Sequence, residues 1–288
     1  MKKEFIYLIN EKQDGLTIKA ILSSSFSRKE ISRLKFMQEG IVLNGVKART
    51  NAVVHANDVL KICFDEKDQI HPDNRNIPDI LYEDEDLIVI NKPSGMPVHP
   101  SKGHVDDDAG TMVQNYLHGV KIHTVGRLDQ EVSGCMMYAK SQPACARMQR
   151  QRENGLLCKE YIAAAEGTFP KRKDTVLLNM DKGKDGIRME ENPDGKKSIT
   201  EYEVLHEYDG YSVLKVRIIT GRRHQIRFVC SHLGHPLLGD HLYGGNTDRI
   251  KRVALHAYKL TFLQPFTNKK IMIEAPVPED IQNLLEGV

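Results

Sequence analysis

An α+β fold in two parts is what the sequence predicts, on three observations. Short strand patterns and helical patterns follow one another irregularly, and no glycine fingerprint of a phosphate-loop or dinucleotide-binding unit follows a strand. A length of 288 residues suits about two domains. Charge is divided along the chain. Residues 1–64 carry 11 Lys+Arg against 6 Asp+Glu, residues 65–86 carry 2 against 9, and the remainder is net +4. A basic N-terminal module, an acidic connector and a mildly basic body are thus concealed in a total of +2. Local basic patches of this kind can bind polyanions although the whole chain is near neutral.

The composition excludes several classes. Hydrophobic residues at 40% and charged residues at 28% are ordinary for a soluble globular chain, not a disordered or collagen-like one. No apolar run approaches the roughly 18 residues of a membrane span, and Met1 to Gly15 has no signal-like apolar stretch. A cytoplasmic protein is expected. Cys63, Cys135, Cys145, Cys158 and Cys230 are odd in number and form no C-x-x-C pair, so buried reduced thiols are expected.

Residues 10–64 read as a helical hairpin followed by a β-hairpin. Ser27-Arg28-Lys29-Glu30 is a capping-box pattern that starts a helix. Ile31, Leu34 and Met37 give it an apolar stripe, and Gly40 ends it. Ile41-Val42-Leu43 then meets the tight-turn pair Asn44-Gly45. Val59 to Phe64 alternates as a half-buried strand. Arg28, Lys29, Arg33 and Lys35 make the helix cationic. This layout resembles the S4 RNA-binding domain over about 50 residues, with Thr17-Ile18-Lys19 where that domain usually has Arg-Leu-Asp.

Residues 65–80, acidic and holding Pro72 and Pro78, read as a linker. Leu81 to Ile90 reads as two strand pieces around the acidic turn Glu83–Asp86, and the unbroken run Leu87–Ile90 predicts a strand buried on both faces. Asn91 to Gly95 reads as a turn, and Ser101 to Asp108 as a loop. Ser141, Pro143 and Gly155 delimit a helix. Residues 180–198, rich in Lys, Asp, Gly and Asn, predict an exposed hairpin or excursion, and Tyr211–Thr220 a strand. Ile226, Val229, Cys230 and Leu233 recur with helical spacing, so a helix runs from His224 to Leu233, ended by Gly234 and Pro236. Its entry through Gly221-Arg222-Arg223 places cations where the helix dipole disfavours them, which makes sense if an anion binds there.

One stretch is suited to chemistry. Gly126-Arg127-Leu128-Asp129-Gln130-Glu131-Val132-Ser133-Gly134 precedes the apolar strand Cys135–Ala139, so Asp129 stands at a strand mouth. Alone, an aspartate there is usually a turn or cap residue. Three further blocks accompany it: Asn91 to Pro100, Lys159-Glu160-Tyr161, and Thr220 to Arg227 running on through Leu233-Gly234-His235-Pro236, Gly239-Asp240 and Tyr243-Gly244. In order and spacing, over roughly residues 80–280, the chain resembles the RluA family of RNA pseudouridine synthases.

That resemblance implies a catalytic domain over 81–288, built on a mixed, mainly antiparallel sheet flanked by helices, preceded by an S4-like module over 1–64. It implies conversion of uridine to pseudouridine within RNA, ribosomal RNA being favoured over transfer RNA. Asp129 matches the family's essential aspartate, the nucleophile. Arg227 matches the arginine that pairs with it, Tyr161 the aromatic that stacks on uracil, Ile226 a pocket wall, and Arg127 a side chain that displaces the target base. Lys92, His99 and His224 are expected near the site. Arg28, Lys29, Arg33, Arg222 and Arg223 are expected to meet RNA phosphates. Val132 stands where the family usually has Thr, which predicts a less rigid loop with activity retained. The reaction is redox-neutral, so no cofactor or metal is implied, and a monomer is expected. Two readings compete. One is an RNA-binding protein without catalysis. The other is a zinc hydrolase using His224, His232, His235 and Asp240.

Overall fold

The computed structural model describes residues 2–26, 31–32, 34, 37, 39–65, 77–99 and 108–287. An N-terminal sheet is formed by β1 (Lys2–Leu8), β2 (Ile41–Leu43), β3 (Val46–Lys47) and β4 (Val59–Asp65), in the order β1-β4-β2-β3 and antiparallel throughout. The Asn44-Gly45 turn joins β2 to β3 with φ of 49° and 81°, the left-handed pair that a two-residue hairpin needs. Helix α1 (Ile18–Leu22) is capped by the Thr17 hydroxyl and buries Ile18, Ile21 and Leu22 against Leu60 and Ile62. Ile31 and Leu34 are helical and buried, as their spacing predicts. The capping residues 27–30, and with them Arg28, Lys29 and Arg33, lie outside the described residues, as does most of the acidic linker. Strand β1 went unpredicted, because Lys2-Lys3-Glu4 hides the alternation that follows.

The second sheet is assembled from β5 (Ile80–Glu83), β6 (Leu87–Lys92), β7 (His123–Thr124), β8 (Ser133–Ala139), β9 (Cys158–Glu166), β10 (Lys173–Lys182), β11 (Met189–Glu191), β12 (Lys196–Tyr208), β13 (Tyr211–Ile218), β14 (Leu255–Leu263) and β15 (Lys270–Glu274). Its main path is β11-β10-β12-β13-β9-β14-β8-β6-β5, with β15 on β14 and β7 on β8. Every pairing is antiparallel except β14 with β8, so the sheet is mixed and mainly antiparallel.

Alternation along β6 and β8 divides the core. Leu87, Val89, Cys135 and Met137 face α3 (Gln142–Glu153), which begins at the Ser141 cap and buries Ala144 and Met148. Ile88, Ile90, Met136 and Tyr138 face the other way, toward α2 (Ala109–Tyr116) and α4 (Gln225–His232). This is why Leu87–Ile90 is apolar without interruption. Helix α5 (Glu279–Glu286) packs Ile281 and Leu284 beside Ile162, Ala164 and Val213. The N-terminal sheet rests on this body: Phe5 stacks on Phe266 at 5.2 Å, and Arg147 and Arg150 of α3 donate to the Ser25 hydroxyl and the Ser23 carbonyl.

Of the loop expected over 101–108, residues 101–107 lie outside the described residues; Asp108, fully buried, caps α2 by accepting from the Thr111 amide and hydroxyl. The hairpin expected over 180–198 is formed by β10 and β11, which extend the sheet; most of it is exposed, while Met180 and Met189 are buried against Phe228.

At the parallel contact, Gly134 has φ 108°, and a Cβ there would collide with the Ala257 carbonyl, whose carbon stands at 2.8 Å. Replacing it with alanine is expected to cost about 2 kcal/mol or more, read by urea unfolding. Beside it, the Ser133 hydroxyl bonds His256 Nδ1 at 2.9 Å and accepts from Arg252, whose guanidinium is bidentate on Asp280. Burial pushes the His256 imidazole down to about 4 from 6.5, with the Ala275 carbonyl opposing. The unfolded chain therefore takes up this proton near pH 6.5 and the folded chain only near pH 4. Stability is full above that window and falls as pH falls through it, by about 3 kcal/mol. A His256→Asn variant is expected to lose clearly less stability between pH 7 and pH 4 in the same unfolding measurement.

Candidate active site

The Gly126–Gly134 loop enters β8 from the sheet edge nearest α4, and the N-terminal half of α4 faces it. Between them lies a cavity of about 590 Å³. Asp129, Arg127, Tyr161, Ile226, Arg227, His224 and His99 all line it, so most of the side chains expected at a site are brought together. A second, outer cavity of about 630 Å³ shares Arg127, Asp129, His224 and Arg227 and adds Arg223 and Glu131. Asp129 thus stands where an apolar pocket opens onto a basic groove.

The loop is held from behind by Lys92. This side chain is fully buried at the end of β6, not in the turn that follows. Its ammonium donates to the carbonyls of Pro93, Met96 and Gln130 at 2.8, 2.8 and 3.0 Å. Burial pushes the ammonium down to about 7, while the negative charge of Asp129 works to keep it protonated. Ser94 donates to the Glu131 carbonyl, and Gly95 and Gln130 exchange two hydrogen bonds. The Asn91–Pro97 block therefore clamps the residues that follow Asp129. Lys92 is a positioning residue, not a pocket wall.

Arg227 is 4% exposed, and it pairs with more than Asp129. Its Nε and Nη2 donate to the two oxygens of Asp240 at 2.7 and 2.8 Å. Asp129 receives only the remaining corner, with Nη1 at 3.7 Å, and Glu131 stands 3.5 Å from Nη2. The carboxylate that fixes the arginine is thus Asp240, fully buried, which the sequence offers as part of a motif and as a ligand in the zinc alternative. Its burial on a Gly-Asp turn was the signal, and only the fold exposes it.

His224 sits before α4 with φ 50° and caps no backbone amide. Its Nε2 lies 3.9 Å from Asp129 and its Nδ1 is 3.1 Å from the Tyr243 hydroxyl. Tyr243 accepts from the Met189 amide, so its own proton can go to Nδ1, leaving the imidazole hydrogen on Nε2 facing Asp129. Burial lowers the His224 pKa, against the pull of Asp129. The turn before α4 is fixed by Gln225, which accepts from the Thr220 hydroxyl and the Arg222 amide and donates to Ile199 and Thr200. Arg222 lines the inner cavity but spends its Nε on the Lys197 carbonyl; Arg223 lines the outer groove.

One wall of the pocket is apolar. Val132, Ile226 and Tyr161 are 2%, 4% and 4% exposed and share a core cluster with Leu128 and Leu255. The Val132 side chain packs there, while its amide closes the loop on the Asp129 carbonyl. Burial, reinforced by the charge of Asp129, raises the Tyr161 phenol well above its ordinary value. The residues of the zinc alternative are dispersed: Asp240 is engaged by Arg227, His235 stacks on Phe169 and bonds the Glu166 carbonyl, and His232 faces Glu191.

Comparison with known proteins gives the family. Residues 86–232 match the family model described as RNA pseudouridylate synthase. The chain is 34% identical to the uncharacterised RNA pseudouridine synthase YhcT of Bacillus subtilis over 96% of its own length and 95% of that protein. It is 35% identical to ribosomal large subunit pseudouridine synthase D of Xylella fastidiosa, over 95% and 89% of the two chains. The fold matches human RNA pseudouridylate synthase domain containing 1 with a TM-score of 0.59 at 24% identity, over 73% of this chain and 87% of that one. No helix among the described residues is long and apolar enough to cross a membrane. On this family match over most of its length, the chain belongs to the RluA family of RNA pseudouridine synthases, isomerases that act on RNA.

Proposed function

We propose that Asp129 is the nucleophile that isomerises specific uridines in ribosomal RNA, with residues 81–288 as catalytic domain, 65–80 as acidic linker and 1–64 as an S4-like RNA-binding domain. The observation that carries this is the convergence of Asp129, Arg227, Tyr161 and Ile226 on one cavity. The ribosomal substrate is supported by the relatives named for the large ribosomal subunit. A cytoplasmic monomer fits, since one chain supplies the whole constellation.

In this reading a uridine leaves its stack and enters the inner pocket, with Arg127 taking its place at the rim. Asp129 promotes cleavage of the N1–C1′ bond by attack at C1′ or by stabilising the cation formed there. The uracil turns, a C5–C1′ bond forms as any C1′–carboxylate bond breaks and frees Asp129, C5 loses its proton and N1 gains one, so the product is an isomer. Asp129 has no base beside it and must react ionised. Arg227 stands at 3.7 Å and His224 at 3.9 Å, so neither locks a carboxylate oxygen in a short bond. A carboxylate held bidentately, as Asp240 is, would be a poorer nucleophile. Tyr161 stays neutral, which suits it to stack on uracil more than to remove a proton. Val132 keeps the pocket apolar, so activity is retained.

Two outcomes test this. Chemical mapping of pseudouridine in total RNA incubated with the protein is expected to show new modification at one or a few ribosomal uridines. Asp129→Asn is expected to abolish it while changing RNA affinity only several-fold; turnover by the variant would refute the assignment. Deleting residues 1–64 is expected to weaken RNA binding and flatten its salt dependence, because cations that displace counterions are lost. An unchanged salt slope would take RNA contact away from the N-terminal module.

A further inference from the structure

The inner cavity has a feature that the reaction just described does not use. Lys159, at the start of β9, is 7% exposed and lines the cavity. Among the described residues its ammonium has no hydrogen bond and no ion pair within 4 Å. The charge nearest it is of the same sign: burial and Arg152 push the ammonium down to about 8, with only the Cys135 thiol opposing. Arg152 also lines the cavity and likewise has no side-chain hydrogen bond or ion pair among the described residues. It lies in the last turn of α3, where the helix dipole tolerates a cation.

The two cations converge. A Cβ on Gly126, at φ 73°, would stand 3.2 Å from Lys159 Nζ and 3.9 Å from Arg152 Nη1, and one on Gly221 would stand 3.8 Å from the same Nη1. Two residues without side chains thus leave open the space beside two cations without counterions. A buried ammonium is costly unless paired, and an apolar residue would fill this strand position more cheaply. The missing partner is an anion supplied from outside the chain.

We propose that Lys159 and Arg152 form a subsite for the backbone phosphate attached to the target uridine. Lys159 and Tyr161 are two residues apart on one strand, so their side chains leave the same face about 7 Å apart. With the base on Tyr161, that interval is of the order that separates a base from its own phosphate. The nucleotide is then gripped at both ends, and its C1′ is presented between them to Asp129. The phosphate contact is sequence-independent and fixes position, while the apolar pocket selects the base.

This rests on the reading that a uridine occupies the cavity, but it is tested without turnover, so either can fail alone. Full-length protein is titrated by NMR with uridine, uridine 5′-monophosphate, uridine 3′-monophosphate and inorganic phosphate. One of the two monophosphates is expected to bind about ten-fold more tightly than uridine, the effect of a charge-assisted contact. Lys159→Met and Arg152→Gln are each expected to remove that gain and leave uridine binding unchanged. Lys159→Met removes an uncompensated buried charge and should melt no lower than wild type; Arg152→Gln changes a half-buried side chain and gives the same reading independently. Equal binding of uridine and both monophosphates would overturn the subsite, as would a gain that survives both substitutions. Inorganic phosphate binding as tightly as the nucleotides would also overturn it, in favour of a free-anion site.

Discussion

The buried pair between Arg227 and Asp240 is the constraint on which the site depends. Neither charge reaches solvent, so each is tolerable only while the other is in place. Breaking such a pair leaves an uncompensated charge and costs about 3–5 kcal/mol. To keep it, α4 must stand in one position against the turn that carries Asp240. That turn is itself tight: a Cβ on Gly239 or Gly245 would collide with the carbonyl of Arg252 or Leu237. The guanidinium is thereby aimed, and its third corner is left for Asp129.

Opposite it, the Asp129 loop is fixed by a second buried cation. Lys92 draws three carbonyls onto one ammonium, which ties the end of β6 to the loop before β8. These two charges are used differently. Arg227 is satisfied by an acid and offers its surplus field to the pocket. Lys92 is satisfied by backbone oxygens and makes a rigid floor. Between floor and field, Asp129 is charged, close to cations and yet not immobilised by them. Lys159 and Arg152 form a third cationic arrangement, in the inner cavity, and among the described residues neither has a hydrogen-bonded or ion-paired partner, which is why we assign them to the ligand.

The sheet makes this geometry affordable in a chain of this size. Because β6 and β8 are buried on both faces, the loop between α2 and β8 hangs from a rigid double-faced core. The single parallel contact, β14 on β8, brings Ala257 against Gly134 and so draws the Ser-Gly end of the loop close to the sheet. Behind it, Ser133, His256, Arg252 and Asp280 connect the loop to α5 through hydrogen bonds, so the C-terminal helix also supports the site.

The sequence alone determined what depends on local chemistry. Helix α3 follows from its Ser141 cap and Pro143, β6 from its unbroken apolar run, the β2–β3 hairpin from Asn44-Gly45, and α4 from its repeat and Gly234. Asp129, Arg227, Tyr161 and Ile226 were expected from the resemblance to the RluA family, and the fold places all four on one cavity. Tertiary structure alone decided which partner each charge receives. Asp240 captures Arg227, Lys92 is turned inward as a clamp, Asp108 becomes a cap, and Lys159 is left beside Arg152 without an acid. The reason is physical: a cap, a turn or a periodic face is set by residues a few positions apart, whereas the partner of a buried charge is set by which distant strands and helices meet.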